Sequence, residues 1–322
     1  MLTPAKMIAQ YGQWYKEGNI NSKDLHSQIF TKSDTEELFT FRKTDDTRID
    51  KVNTIIDKVL QPFYNTFSHL GSFDFDPNPW FLDHVKINVA LKPDDLAETA
   101  VDFLVQKGVE RKGAPIVAVI AQDLSMKAKE EHEVDGMFKG ERALPSAANQ
   151  LLGIPGNPSG AVNGLRKKFR AYSAAGKMEN IAMGAVPTDP VEFVTYVEDM
   201  FYAIEEDLRD TIKDFVMSRT LRTRYKRGFR LKYKDNYDAG GATDEIIDTE
   251  VKIKGYKSHN GSDMIWSTMP ANRIGFRKNP KNFGVFDLGV KDIYQIQMAT
   301  DWYTGVDFIN PNWIITNGQD LA

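Results

Sequence analysis

The chain has 322 residues, 41% of them hydrophobic and 27% charged, enough to bury one large core or two ordinary ones; this excludes a wholly disordered or low-complexity protein. Its 41 basic and 45 acidic side chains leave a net charge of −4, which argues against a whole surface that grips nucleic acid and leaves open a local basic patch. No cysteine is present, so thiolate metal sites, disulfides and cysteine nucleophiles are excluded.

The first residues, Met1 to Met7, lack an apolar stretch and a small-residue cleavage site. Apolar runs such as Ala114 to Ala121 fall far short of the roughly 20 residues a helix needs to cross a bilayer. A soluble protein made in a cytoplasm is the expectation.

In chain order, residues 1–35 are polar with dispersed aromatics (Tyr11, Trp14, Tyr15, Phe30) and read as an arm. Leu38 to Arg42 alternates and predicts a strand. Ile49 to Leu60 predicts a helix that stops at Pro62, which lacks a backbone donor. Gly71 to Phe75 and His84 to Val89 predict two strands of one extended hairpin. Pro93 with Asp94, Asp95 and Glu98 marks a helix start. A longer helix opens at Pro115, repeats apolar residues at Ile116, Ile120 and Leu124, turns highly charged from Lys127 to Glu133, and ends at Gly136 or Gly140. Ala143 to Ala161, rich in glycine and proline, predicts a flexible loop.

Thr188-Asp189-Pro190 opens a helix with Phe193, Tyr196, Val197 and Met200 on one side. Asp214 to Ser218 predicts a buried strand, followed by a basic helix to about Tyr237. Strands are then expected at Val251–Lys254, Met264–Trp266, Arg273–Phe276, Phe283–Phe286, Ile293–Met298 and Trp313–Ile315. The segregated pattern is α+β.

Candidate chemistry is sparse. Gly153 to Gly160 lacks the Gly-Lys-Ser/Thr ending of a phosphate loop, and its prolines remove the donors a phosphate cradle needs. His132 has no second histidine three or four residues away, so Glu130 to Glu133 reads as a solvated charged face instead of a metal site. Asp74 and Asp76 share one face of a strand, where edge solubility is the ordinary reading and acid–base work the sharper one. No serine sits in a G-x-S-x-G context. No catalytic residue, cofactor site or metal site is assigned, and no enzyme activity is expected.

The strongest local feature is the basic run Arg219, Arg222, Arg224, Lys226, Arg227, Arg230, Lys232 and Lys234, interleaved with Tyr225, Phe229 and Tyr233. Three readings stand: a charged helix face with its aromatics packed inward, a subunit boundary of bidentate arginine pairs, and a nucleic-acid contact.

The order of segments resembles that of the major capsid proteins of tailed double-stranded DNA phages with the Hong Kong 97-like fold. It is most similar to the branch found in phages of Bacteroidota. The likeness rests on Val59–Phe63 followed by Gly71–Phe75; Val85–Val89 with Pro93–Leu96; the long helix from Pro115 to Met137–Gly140; and Val162–Lys168 with Gly176-Lys177. It continues through Phe215–Ser218, Ile253–Gly255, Gly261–Ile265, Asn279–Phe283, Thr300–Val306 and Trp313–Asn317, covering roughly residues 55 to 317.

The resemblance implies an N-terminal arm (1–35), an extended loop with flanking strands (36–92), a peripheral domain with a spine helix (93–145), an axial domain (146–282) and return strands (283–322). It implies a subunit that assembles with copies of itself into hexamers and pentamers of an icosahedral head. Portal and possible scaffolding or decoration proteins are the other expected partners, with packaged double-stranded DNA held without sequence-specific binding and no membrane partner. A virion location after assembly in the host cytoplasm is implied. The arm is expected to stay on the protein. Arg219, Arg222, Arg224, Arg227, Arg230, Phe73, Phe75 and Trp80 are the candidate inter-subunit contacts. Three rivals remain: a nanocompartment (encapsulin-like) shell protein of the same fold, a nucleic-acid-binding protein using segment 219–234 and, more distantly, a hydrolase using Asp74 and Asp76.

Overall fold

In the computed structural model, residues 34–56, 58–63, 65–91, 116–233, 244–278, 287–292 and 295–321 are described. Most of the arm, the helix expected at Pro93, Pro115 itself, Lys234 to Tyr237 and the strand expected at Phe283–Phe286 lie outside these residues.

A short 3-10 turn (Glu36–Leu38) leads into β1 (Thr40–Thr44), followed by β2 (Arg48–Ile49), β3 (Val52–Ile56), β4 (Phe73–Pro77), β5 (Trp80–Phe81) and β6 (Asp83–Leu91). Helix α1 (Ile116–Glu131) continues through a π-helical turn (His132–Gly136), close to the ending expected at Gly136. Next come α2 (Ala147–Leu151), α3 (Leu165–Ala174), β7 (Glu179–Asn180), α4 (Pro190–Tyr202), α5 (Glu206–Arg209), β8 (Asp214–Ser218) and α6 (Arg219–Tyr233). The remainder is strand-rich: β9 (Lys252–Tyr256), β10 (Trp266–Ser267), β11 (Arg273–Lys278), β12 (Asp287–Asp292), β13 (Gln295–Phe308) and β14 (Ile315–Thr316).

Two five-stranded sheets organise these elements. In the first, the 14-residue β13 is the spine. It pairs with β6 along one side, from Leu91–Ile296 to Asp83–Thr304, and with β12 and then β11 along the other, all antiparallel. β1 adds parallel to β11. The second sheet has the order β7-β14-β10-β8-β9. Its inner strand β8 is buried at every residue, as expected for Asp214–Ser218 with its apolar centre Phe215-Val216-Met217.

One core lies between the second sheet and helices α4 and α6, with Phe193, Val197, Met200, Phe215, Met217, Tyr225 and Phe229 at its centre. α4 starts where expected. The Asp189 side chain accepts hydrogen bonds from the backbone N–H of Val191 and Glu192, and Pro190 takes the first turn. α4 and α6 touch at Gly228, where any Cβ would stand 1.8 Å from the Pro190 carbonyl oxygen. A second core links the two sheets through Phe138, Leu165, Phe169, Val216, Trp266, Val306 and Phe308.

Four expectations are corrected. The stretch Ile49–Leu60, expected as a helix, is instead occupied by the end of β2 and by β3; Val52, Ile55 and Ile56 are β-branched, and pairing of β2 with β5 and of β3 with β4 overrides the helical spacing. Gly71–Phe75 and His84–Val89 do not form one hairpin. β4 pairs with β3, and β6 pairs with β13, over 200 residues away in sequence. The Ala143–Ala161 loop contains helix α2, capped by Ser146, and a 3-10 turn over Pro158–Gly160, capped by Asn157. Trp313 closes a 3-10 turn rather than opening a strand.

Candidate functional site

The ladder β3–β4 places Val52 opposite Pro77, Thr54 opposite Phe75 and Ile56 opposite Phe73 on one face. That face is turned to solvent: Val52, Ile56, Phe73 and Phe75 are all more than half exposed. The opposite face carries Asp74 and Asp76, and Lys177 Nζ meets Asp76 Oδ1 at 2.5 Å. Asp74 on that opposite face is exposed as well, so the ladder presents aromatics to solvent on one side while only Asp76 on the other is tied to the chain's own body. Val59, Leu60, Phe63, Phe67 and Leu70 extend the apolar surface between the strands, Phe63 at 93% exposure. A monomer leaves such a patch uncovered at a cost, and burial against a partner removes it.

The base of this hairpin is tied into the body of the subunit. β2 pairs with β5 through Arg48–Phe81 and Ile49–Trp80. Trp80 is covered by its own chain, edge-on to Phe276 with ring centroids 5.2 Å apart and with Lys51 Nζ 4.2 Å above it. Its ring is thus an anchor of the hairpin inside the subunit, unlike the neighbouring Phe73 and Phe75. Just beyond, buried Asp83 accepts hydrogen bonds from Arg142 Nη1 (3.1 Å) and from the Asn163 backbone (2.7 Å) and side chain (3.2 Å).

The basic run lies on α6 with its aromatics inward. Tyr225 and Phe229 are buried, and the Tyr225 hydroxyl donates to the Glu245 carbonyl at 3.0 Å. Tyr233 donates to Glu198 Oε1 at 2.6 Å; its phenol is pushed up by burial first and the adjacent carboxylate second. Most cations are held within the chain. Arg219 pairs with Asp34; Arg222 and Lys226 share Asp244 at 2.8 and 2.7 Å; Lys232 meets Glu198 at 2.6 Å. Arg224 donates to the Pro187 carbonyl at 2.8 Å and lies over the Phe193 ring. Burial alone would raise the Asp244 carboxyl, but its hydrogen bonds from Arg222 and Lys226 outweigh this and hold it low. Arg227 and Arg230 are exposed.

Two buried polar systems escaped the sequence reading. Arg273 and Asp214, 2% and 3% exposed, form a bidentate pair joined by Lys254 at 2.7 Å from Asp214 Oδ2. Burial pushes the Asp214 carboxyl up, and the Arg273 and Lys254 contacts bring it below the usual carboxylate range. The other is a hydrogen-bond chain through Trp266, His259, Ser258, Thr35 and Glu133, with successive steps of 2.9, 2.8, 2.6 and 2.6 Å. Glu133 is therefore buried, not part of a solvated face; only its neighbour Glu130, paired with Lys127 and Lys257, is exposed as expected. Apart from the local steps Trp266–His259 and His259–Ser258, their links span 40 to 223 residues in sequence, so local spacing gave no signal of them.

Among the described residues, no three His, Asp or Glu side chains gather as a metal site, and no helix is long and apolar enough to cross a membrane.

No protein-family model and no curated protein sequence matches the chain. Solved structures do. A chain from the satellite phage P4 procapsid, which includes the size determination protein, is similar at a TM-score of 0.56 and 11% identity, over 92% of this chain and 90% of that one. A capsid chain of an empty GTA particle is similar over 87% of both chains (TM-score 0.49, 10% identity). The capsid of Myoviridae phage XM1 is similar over 92% of this chain and 95% of that one (TM-score 0.48, 9% identity). The α+β chain described here has the Hong Kong 97-like capsid fold.

Proposed function

We propose that the chain is a major capsid protein that assembles with copies of itself into hexamers and pentamers of an icosahedral phage head around double-stranded DNA. The observation that carries this reading is the outward-facing apolar side of the β3–β4 hairpin, on a base packed into the subunit, in a chain of capsid fold. Many weak apolar contacts repeated by symmetry make a stable shell, and paired or covered strands lose their exposed edges. In this reading the arm (1–35), the extended loop (36–92), the peripheral (93–145) and axial (146–282) domains and the return strands (283–322) are the working parts. Phe73 and Phe75, with Arg227 and Arg230, would meet neighbouring copies. Portal, scaffolding and decoration proteins would be its other partners, DNA would be enclosed without sequence-specific contacts, and assembly would take place in the host cytoplasm. The order of segments is our ground for placing it with phages of Bacteroidota.

Negative-stain electron microscopy of the purified protein beside its light-scattering mass tests the proposal. Closed shells, tubes or ring-shaped capsomers are expected, and phage head is then separated from nanocompartment by whether DNA or a cargo enzyme copurifies. A monomer or dimer that persists at high concentration and across salt would overturn it.

A further inference from the structure

A cleft of about 550 Å³ opens where the end of the α1 helical rod, the start of α3 and the 143–160 loop meet. We propose that it binds a carboxylate-bearing segment of a partner protein, with apolar side chains flanking the acid. This does not depend on the shell reading.

Charge comes first. The cleft is lined by Lys139, Glu141 and Arg166. Glu141 is already matched by Arg170, with Nη1 and Oε1 2.9 Å apart. Lys139 and Arg166 form no ion pair with any described residue, so the cleft carries two uncompensated cations.

Arg166 supplies the second observation. Five arginines (166, 170, 209, 273 and 277) have an Nε sealed from water without a hydrogen bond to the described residues. Four of them place a terminal nitrogen on an acceptor: Arg170 on Glu141, Arg209 on the Tyr202 and Ile204 carbonyls, Arg273 on Asp214 and Arg277 on Glu36. Among these five, only the Arg166 guanidinium has no hydrogen-bond acceptor, side chain or backbone, among the described residues. A partly desolvated guanidinium without an acceptor is costly, and its planar fork suits a carboxylate or a phosphate.

The walls decide between those anions. Leu144, Pro145 and Pro155 line the cleft, and exposed Leu144, Leu151, Leu152 and Ile154 lie along the same loop, Leu151 at 90% exposure. No aromatic ring lines it, so bases have nothing to stack on, and hydrated phosphates gain nothing from aliphatic walls. Acidic residues alternating with leucines would use both the cations and the walls.

The test uses the full-length protein and a fluorescein-labelled peptide, Leu-Asp-Glu-Leu-Asp-Leu, with its amide analogue Leu-Asn-Gln-Leu-Asn-Leu. Fluorescence anisotropy should rise saturably for the acidic peptide and bind the amide analogue at least tenfold more weakly. Arg166→Gln should abolish binding and Lys139→Gln weaken it, both variants keeping the parent's melting temperature and assembly products. Absent binding, equal binding of the two peptides, or binding indifferent to Arg166→Gln would overturn the proposal. Displacement of the peptide by a short DNA duplex at equal charge concentration would reassign the cleft to phosphates and overturn it too.

Discussion

Trp266 Nε1 donates to His259 Nε2 at 2.9 Å, and this one bond sets the direction of a buried chain of four. Indole can only donate, so His259 carries its proton on Nδ1 and gives it to Ser258; at the far end the Glu133 carboxylate can only accept, so Ser258 donates to Thr35 and Thr35 to Glu133. The chain ties Thr35, five residues ahead of β1, to the second core. Replacing Trp266 with Phe keeps one aromatic ring, removes the indole N–H and part of the packed volume, and orphans a buried acceptor, so unfolding stability should fall by about 1–3 kcal/mol or more in urea titrations. A loss within error would mean that His259 finds another donor.

The same histidine makes stability depend on pH. Burial first, and the Lys139 charge second, depress His259 to about 3 from an ordinary 6.5. Between these values the unfolded chain binds the proton and the folded chain does not. Stability from this group is therefore full above pH 6.5 and is lost as pH falls toward 3, by at most about 1.4 kcal/mol per pH unit. Denaturation midpoints of the parent and of His259→Gln, compared from pH 7 to pH 4, check this: the parent's steeper decline should flatten in the variant.

Asp214 and Arg273 should behave as a buried pair. Asp214→Ala strands the Arg273 charge in the core, and a loss of about 3–5 kcal/mol is expected. Replacing both with apolar residues of similar volume should restore much of it in the same denaturation experiment.

At Gly228 the helices α4 and α6 approach too closely for a side chain. Gly228→Ala must push the Pro190 backbone away, so a loss of more than about 3 kcal/mol is expected, within the range of overpacked cores or beyond it. Gly176 has a positive φ of 66° but nothing near its Cβ position, and Gly176→Ala should cost only about 1 kcal/mol. Thermal melts of the two variants side by side would show whether space or backbone conformation governs.

Assembly and folding should separate on the surface. Phe73→Ser with Phe75→Ser, or Arg227→Glu alone, should shift subunit stability by no more than about 0.5 kcal/mol while reducing the assembled fraction seen by light scattering. Arg222→Glu should differ, because Arg222 is bound to Asp244 within the subunit and its reversal destabilises the fold itself. Equal effects on assembly and stability at Arg227 would remove it from the interface.

Local features spoke clearly wherever one segment carried the whole cause. The cap and proline at Asp189-Pro190 and the buried run at Asp214–Ser218 lie where the sequence places them, and of the three readings of the basic run the inward packing of Tyr225 and Phe229 is the one seen within the subunit, because capping, burial and helical periodicity act over a few residues. The order of segments likewise pointed to the capsid fold. Pairing did not follow from order. Whether β4 meets β3 or β6, and whether Ile49–Leu60 coils or extends, depends on partners brought together by loop closure, since β-branched residues serve whichever ladder reaches them. The same holds for Asp214 with Arg273 and for the run from Trp266 to Glu133. Buried polar groups must find acceptors, but only the folded chain decides which distant residue supplies them.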